Sequence, residues 1–568
     1  MDSRRLILLV MFSFSLFMLW DSWKRYNQPK PTETVAASSV IEAPEAFIST
    51  PLGNQGQPTH FAPAAPDFTQ APTGESILIE TDLFIAEIST IGGDIIGLQL
   101  KGHYSQVDAT KPFMLFSSDH QYRAQTGLTA ATEIALPNHN TLYTALPGKR
   151  FLEDSDKELQ LRLQAPKKEG INVNKILTFT RDSYVIRTSY EISNNSGNTI
   201  SPSAYFQLRR DSRPPAGGSW LIRTFTGAAL FTQDSKFEKI SFSDIDKGKF
   251  DLAARNVDGW IGMIQHYFAA AWIPAPEMLR KFYVRRIEDR GSVLYDAGVI
   301  VPVDQVAPGA TATVSMSLFA GPQFQHILKQ LAKPIADGGI GATGLPLVVD
   351  YGWLTILAAP IFWMLDTING FIGNWGWSII VLTIIIKALF HPLSVAGYKS
   401  MARMRAFAPR LNAMRERYGN DKQRMNQEMM HLYKTEKINP LGGCFPILLQ
   451  IPVFIALYWA LLGAVEMRGA PWMGWIQDLS AQDPYYILPT IMVATMWAQN
   501  QLNPTPPDPM QAKVMMIMPF AFGVLFFFFP AGLVLYWVVN NVLSIAQQWH
   551  INRAIDREVN RGKAANDE

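Results

Sequence analysis

The chain has 568 residues, too many for one hydrophobic core, so two or more folded units are expected. Apolar residues make up 48% and charged residues only 17%, the balance of a membrane protein with a soluble part attached. The net charge of +2 points to no partner, and the single cysteine, Cys444, excludes an internal disulfide framework and any cysteine-based zinc cluster.

At the N-terminus, MDSRRLILLVMFSFSLFMLWDSW places Arg4 and Arg5 ahead of fifteen apolar or hydroxyl residues, Leu6 to Trp20. A cleavable signal peptide has the same outline, but Trp20, Asp21 and Trp23 occupy the place of a small-x-small cleavage site. Residues 1–26 are therefore read as an uncleaved signal-anchor helix, and the Pro-, Ala-, Ser- and Thr-rich residues 27–75 as a flexible linker. Short alternating runs follow. In YVIRTSYEIS, Tyr184, Ile186, Thr188, Tyr190 and Ile192 share one face while Arg187 and Glu191 share the other, and NNSG ends the run as a turn. SILIETDLFIAEIS and ATVSMSLFAG have the same half-buried character, so residues 76–345 are expected to form a soluble β-sandwich domain.

After residue 345 the pattern is that of a polytopic α-helical membrane protein. Residues 346–374 include Pro360, Asp366 and Asn369 with Trp353 and Trp363, a broken composition that suits an amphipathic helix in the headgroup region. Apolar runs at 375–395, 445–465, 485–502, 514–529 and 533–548 are expected to span. Only Pro530, Ala531 and Gly532 separate the last two, which read as a tight helical hairpin. Residues 396–438 carry ten Lys or Arg against four acids, whereas 466–484 has only Arg468. The positive-inside rule places the first loop in the cytoplasm and the second outside. If 346–374 lies on the surface, one span separates the β-domain from the basic loop and the domain is outside; if it spans, the domain is cytoplasmic. The surface reading gives six transmembrane helices, five of them in a core after the anchor, with both termini cytoplasmic.

The basic loop divides at Gly419 and Asn420 into two helical runs, with Asp421 a fitting N-cap for the second. This expected hairpin bears Met401, Met404, Arg405, Met425 and Met429. Methionine surfaces suit variable apolar ligands, although plain hairpin packing places methionines at the same spacing. Its charge fits anionic lipid or ribosomal RNA, and equally a solvated face. Residues 549–568, with Arg553, Arg557, Arg561 and Lys563, read as a basic cytoplasmic tail.

No GxxxxGK[ST] loop, HExxH pair or GxSxG elbow occurs, so no enzyme activity is expected and no cofactor is implied. GGD at Gly92–Asp94 is read as a turn. The chemistry lies among polar groups in the apolar runs. Lys387, inside SIIVLTIIIKALFHPLSV, costs about 2.5–3.5 kcal/mol on insertion scales. Thr383 shares its helical face; Gln450 and Asn500 lie in the next two runs, and Asn540, Ser544 and Gln547 form a stripe on the last. Such groups face a bundle interior or a wet cavity. The plainer alternatives are interhelical glue for the amides and snorkelling for the lysine. No Asp or Glu in the spans pairs with Lys387, which leaves its charge for a passing anion or for water.

Several segments resemble the YidC membrane protein insertases in their long form, from bacteria with a periplasm: GNWGWSII (373–380), NPLGGCFPILLQIPVFIALYW (439–459), AQDPYYILP (481–489), DPMQAKVMMIMP (508–519), FPAGLVLYW (529–537) and, in the β-domain, GWIGMIQHYFAAAWIP (259–274). The resemblance implies a periplasmic β-supersandwich, similar in fold to sugar mutarotases, on an inner-membrane insertase core. It places Lys387 where the best-studied members have arginine. It implies that Thr383, Gln450, Asn500 and the last-span polar groups line a hydrophilic groove open to the cytoplasm and lipid but closed to the outside. The hairpin 396–438 is similar to the family's cytoplasmic coiled-coil region, and the tail to its ribosome-facing end. Nascent membrane proteins, the ribosome, the Sec translocon and anionic lipids are the implied partners of a monomer. A secondary transporter of anions using Lys387 is the alternative, but it would be expected to show paired internal repeats, and none is visible. A third reading makes the β-domain a capture module for sugar or polymer, with the spans as anchors.

Overall fold

The computed structural model describes residues 74–105, 108, 110–130, 134–216, 224–253, 255–289, 291–397, 410, 413–414, 417, 421–435, 445–502 and 509–564. The expected signal anchor, the linker up to residue 73, Met401, Met404, Arg405, Cys444 and most of the first hairpin helix lie outside the described residues.

Residues 76–322 form two antiparallel sheets. Across the eight-stranded sheet the order is Ser76–Glu80, Phe84–Ser89, Ile95–Tyr104, Arg123–Ala130, Pro202–Arg210, Ser292–Pro302 and Lys281–Asp289, with Pro112–Phe116 pairing off Ile95–Tyr104. The nine-stranded sheet runs Lys236–Ser241, Thr226–Thr232, Trp260–Gln265, Phe268–Ile273, Thr311–Pro322, Val185–Asn194, Ile171–Thr180, Glu158–Gln164 and Thr144–Ala145. In Val185–Asn194 the alternation holds: Ile186, Thr188, Tyr190 and Ile192 are buried while Arg187 is exposed. The sheets meet through these inward faces. The Phe206 and Trp272 rings lie 5.2 Å apart, and the Thr126 and Tyr190 hydroxyls are 2.6 Å apart.

Two polar features of this domain have no hydrophobic-pattern signal. Asp296, fully buried, accepts from Arg209 Nε at 2.7 Å and Arg209 Nη2 at 3.0 Å, and from Arg285 Nε at 3.1 Å. Arg209 and Arg285 are its cross-strand partners on either side, so strand register assembles the triad. The GGD segment is a turn, with Gly92 and Gly93 at positive φ. Its Asp94 is buried, accepts from Gln125 Nε2 at 2.9 Å and faces Lys175, whose Nζ donates to Gly92 O at 2.8 Å.

Helix α1 (Gln325–Ala332) leads out of the domain toward α2 (Thr355–Ile372), α3 (Trp375–Leu389) and α4 (His391–Gly397). Next come α5 (Lys422–Thr435), α6 (Phe445–Gly463), α7 (Ile487–Leu502), α8 (Pro509–Phe526) and α9 (Ala531–Ala564). Among the described residues α2 alone meets the length and hydropathy of a span, or two do if α3 and α4 count as one bent unit. Asp421 caps α5 as its sequence position implies, accepting from Gln423 N and Arg424 N.

The helix expected within 346–374 is present as α2, which continues through Pro360 to a left-handed Gly373 cap. Three expectations are corrected. The run 375–395 is not one straight helix: α3 and α4 meet at 61°, since Pro392 has no N–H for the carbonyl four residues earlier. The tail is not separate from the last span, because α9 is one helix of 34 residues, about 50 Å long. Finally, 514–529 and 533–548 do not make a tight two-helix hairpin. Helix α8 lies along α7, where a Cβ on Gly523 would meet Val493, and touches α9 through Phe526 and Trp537 near the turn.

The β-domain is fastened to the helices by polar and aromatic contacts. Arg468, in the loop after α6, lies over the rings of Phe113 and Phe268, each 5.1 Å away, and donates to Tyr104 O. Glu466 accepts from Gln325 N at 3.2 Å, and burial pushes its carboxyl up to about 7; Asp366 adds to the rise and Lys329 opposes it. For an acid with a raised folded-state pKa, the contribution to stability is full below the ordinary 4.5 and is lost as pH climbs through about 7. Glu466→Gln removes that titration. Its melting temperature, measured against the parent chain, is expected to gain progressively from about pH 5 to about pH 8.

Candidate functional site

Helix α3 starts where Asn374 accepts from Trp377 N at 3.1 Å and holds the loop after α6 through Trp472 O at 3.0 Å. From that end Lys387 lies about 18 Å along the helix, at 1.5 Å per residue, near the α4 bend. Its Nζ donates to Ser544 Oγ on α9 at 2.7 Å. Ser544 in turn donates to Asn540 O at 2.7 Å, and Asn540 Oδ1 accepts from Gln450 Nε2 of α6 at 2.6 Å. A polar track therefore joins α3, α9 and α6.

The track borders a small hollow of about 30 Å³ lined by Thr383, Lys387, Ser394, Gln450, Tyr536 and Asn540 among others. Thr383 donates to Ile379 O at 2.6 Å, which leaves its oxygen facing the hollow as an acceptor. Ser544 is the one hydrogen-bond partner of Lys387 among the described residues. An ammonium has three donors, so two remain for water or a visiting acceptor. Toward the C-terminal end of α6 and the N-terminal end of α9 the hollow gives way to packed rings. Phe454 and Trp537 are 4.7 Å apart, Phe526 and Trp537 5.3 Å, and Tyr458 and Phe529 6.1 Å. Polar groups thus gather around Lys387, and aromatic packing fills the part of the bundle toward the loop after α6.

Residues 367–558 match the family described as 60Kd inner membrane protein, and residues 76–364 match the YidC periplasmic domain. Over 570 residues the chain is 54% identical to the membrane protein insertase YidC of Dechloromonas aromatica (strain RCB), covering 100% of both chains. With the membrane protein insertase YidC of Aromatoleum aromaticum it shares 50% identity over 578 residues, again covering 100% of both.

The chain belongs to the YidC family of membrane protein insertases.

A solved structure of an active YidC insertase, with its first transmembrane domain resolved, aligns with 84% of this chain and 92% of its own at 15% identity and a TM-score of 0.40. As a YidC family member the chain is an inner-membrane protein, and its two-sheet region is the periplasmic domain.

Of the expected groove residues, Lys387, Thr383, Gln450, Asn540 and Ser544 come together around the hollow. Two do not. Asn500 donates to Met515 O and so joins α7 to α8, and Gln547 Nε2 sits 3.4 Å from His391 Nδ1 at the start of α4. Of the hairpin residues, Met425 and Met429 lie on α5, with Met425 half-buried. Two hydroxyl-bearing lining residues, Tyr536 and Ser394, were not among the expected groove residues. Tyr536 stands four residues before Asn540, so the polar stripe on α9 could have been extended to it. Ser394 enters because α4 turns away by 61° at the bend, and Pro392 in the run is the signal that could have found it.

Proposed function

We propose that this chain inserts nascent integral membrane proteins and helps them fold, through the hydrophilic hollow at Lys387, alone or beside the Sec translocon. The observation that carries the mechanism is the polar track from Lys387 to Gln450, beside the aromatic packing of Phe454, Trp537 and Phe526. Unpaired polar groups of a translocating peptide cost several kcal/mol each in hydrocarbon. Water and polar side chains in the inner part of the bundle shorten the dry distance. Lys387 draws an acidic or polar end part-way in. The substrate's apolar helix then leaves sideways into lipid, and its burial drives the step at about 25 cal/mol per Å². One charge in a wet site holds only weakly, which permits release.

The proposed topology is six spans with both termini cytoplasmic, a supersandwich domain in the periplasm, and α2 lying along the outer surface. Local geometry supports the last point. The segment before α2 packs on the outer end of α6, where Gly352 adjoins Trp459 and Gly463 adjoins Tyr351. The far end of α2 joins the outer start of α3 through Gly373 and Asn374 alone. Both ends of the helix therefore stand at one level.

The hairpin 396–438 is proposed to receive the nascent chain, with the ribosome at the basic end of α9 and anionic lipid beneath. Deleting 396–438 should abolish insertion of a short substrate into liposomes by the purified protein while the helical circular dichroism of the spans persists. A fully active deletion would remove the hairpin from the mechanism.

A further inference from the structure

A second hollow, of about 190 Å³, lies at the junction of the periplasmic domain with the outer end of α6, beyond the hollow at Lys387 along that helix. Its floor is apolar, formed by Trp459 and Leu462 of α6 with Phe225 and Ile264 of the domain. The hairpin tip at His266 closes one side, where Nε2 donates to Leu462 O at 3.0 Å. Burial pushes His266 down to about 4, so the ring is neutral at ordinary pH.

The charges on the lining are one of each sign, Lys239 and Asp350, which face each other as an ion pair. Lys239 also lies 5.3 Å over the Phe225 ring, and Asp350 Oδ1 accepts from Gly352 N at 2.8 Å, so both groups are anchored independently of their pairing. Asp350 is half exposed, at 51%. A partly exposed pair of this kind is worth only about 0–1 kcal/mol, so exchanging it for two other ionic contacts costs little.

We propose that this hollow binds the headgroup of a phosphatidylethanolamine-type lipid from the outer leaflet, its phosphate on Lys239 and its ammonium on Asp350. Charge complementarity selects the ligand. Two opposite fixed charges match a zwitterion; an anionic headgroup meets Asp350 with the wrong sign, and a choline ammonium has no N–H to donate to the carboxylate. The apolar floor at the outer end of a span takes the first carbons of an acyl chain, with Trp459 at the depth where amphipathic rings settle. The bound lipid would then brace the periplasmic domain against the bundle. The inference is independent of the mechanism proposed for Lys387.

The test uses full-length protein reconstituted in vesicles of equal phosphatidylethanolamine, phosphatidylglycerol and phosphatidylcholine with identical acyl chains. The protein is extracted in mild detergent, and the retained lipid is quantified by mass spectrometry. The parent chain is expected to enrich phosphatidylethanolamine over both others. Asp350→Lys should shift the preference to phosphatidylglycerol by about tenfold, the change that ~1.4 kcal/mol makes. The neutral pair Lys239→Gln with Asp350→Asn, checked for native circular dichroism, should abolish the enrichment without collapsing the hollow. Enrichment of phosphatidylglycerol by the parent chain, no enrichment at all, or an unchanged preference in both variants would overturn the proposal.

Discussion

Lys387→Glu is expected to lower insertion of a substrate with an acidic translocated end by at least about tenfold, with a much smaller loss for a neutral end. At an effective dielectric between 20 and 80, two charges about 4 Å apart interact by ~1–4 kcal/mol, and reversing one sign swings the energy by twice that. Each 1.4 kcal/mol is a factor of about ten. The substitution isolates charge because Ser544, which now accepts from Lys387, can turn its hydroxyl to donate to a carboxylate instead. Lys387→Arg keeps the sign and should retain most activity, whereas Lys387→Met should fall between. The readout is protease protection of the translocated end in reconstituted liposomes. Equal losses for acidic and neutral ends would falsify capture by charge and leave Lys387 as a structural tie to α9.

Asp296→Ala is expected to destabilise the periplasmic domain by about 3–5 kcal/mol, because it strands a buried guanidinium. Arg209 is only 2% exposed and has both of its carboxylate contacts on Asp296, while Arg285 is partly exposed and can turn toward water. Replacing Arg209 and Asp296 together by Met and Leu should restore much of the loss, since a buried ion pair is often no more stabilising than apolar residues of similar volume. Urea unfolding followed through the buried Trp260 and Trp272 measures both. A fall below about 1 kcal/mol would mean that water reaches Arg209 in the folded domain. Insertion of a short substrate should survive the change, because the triad lies within the eight-stranded sheet and contributes nothing to the hollow at Lys387.

Much of this molecule is legible in its residues because the signals involved are local. Alternation in YVIRTSYEIS gives a strand with one buried face, since side chains point to opposite sides at every step. Asp421 before KQRM gives a helix start, since a short acceptor meets free N–H groups there. A lysine in an apolar run marks its own functional interest, since hydrocarbon cannot solvate it. Thr383 follows from Lys387 by helical spacing alone. What the residues left open depends on which helix stands beside which. Asn500 and Asn540 look alike in sequence, yet one ties α7 to α8 and the other borders the hollow, because partner choice is set by packing.

The sequence by itself determined the β-rich domain, the apolar runs, the basic loop and the candidate charge, because each rests on periodicity or composition within a few turns. Only the tertiary structure decided that α3 bends away at Pro392, that α9 runs unbroken beyond the apolar stretch, and that Lys387 meets Ser544 157 residues later in the chain. The same holds for the Asp296 triad and for the hollow under Lys239 and Asp350. Contacts between distant segments depend on how whole surfaces pack, and no short window of residues carries that information.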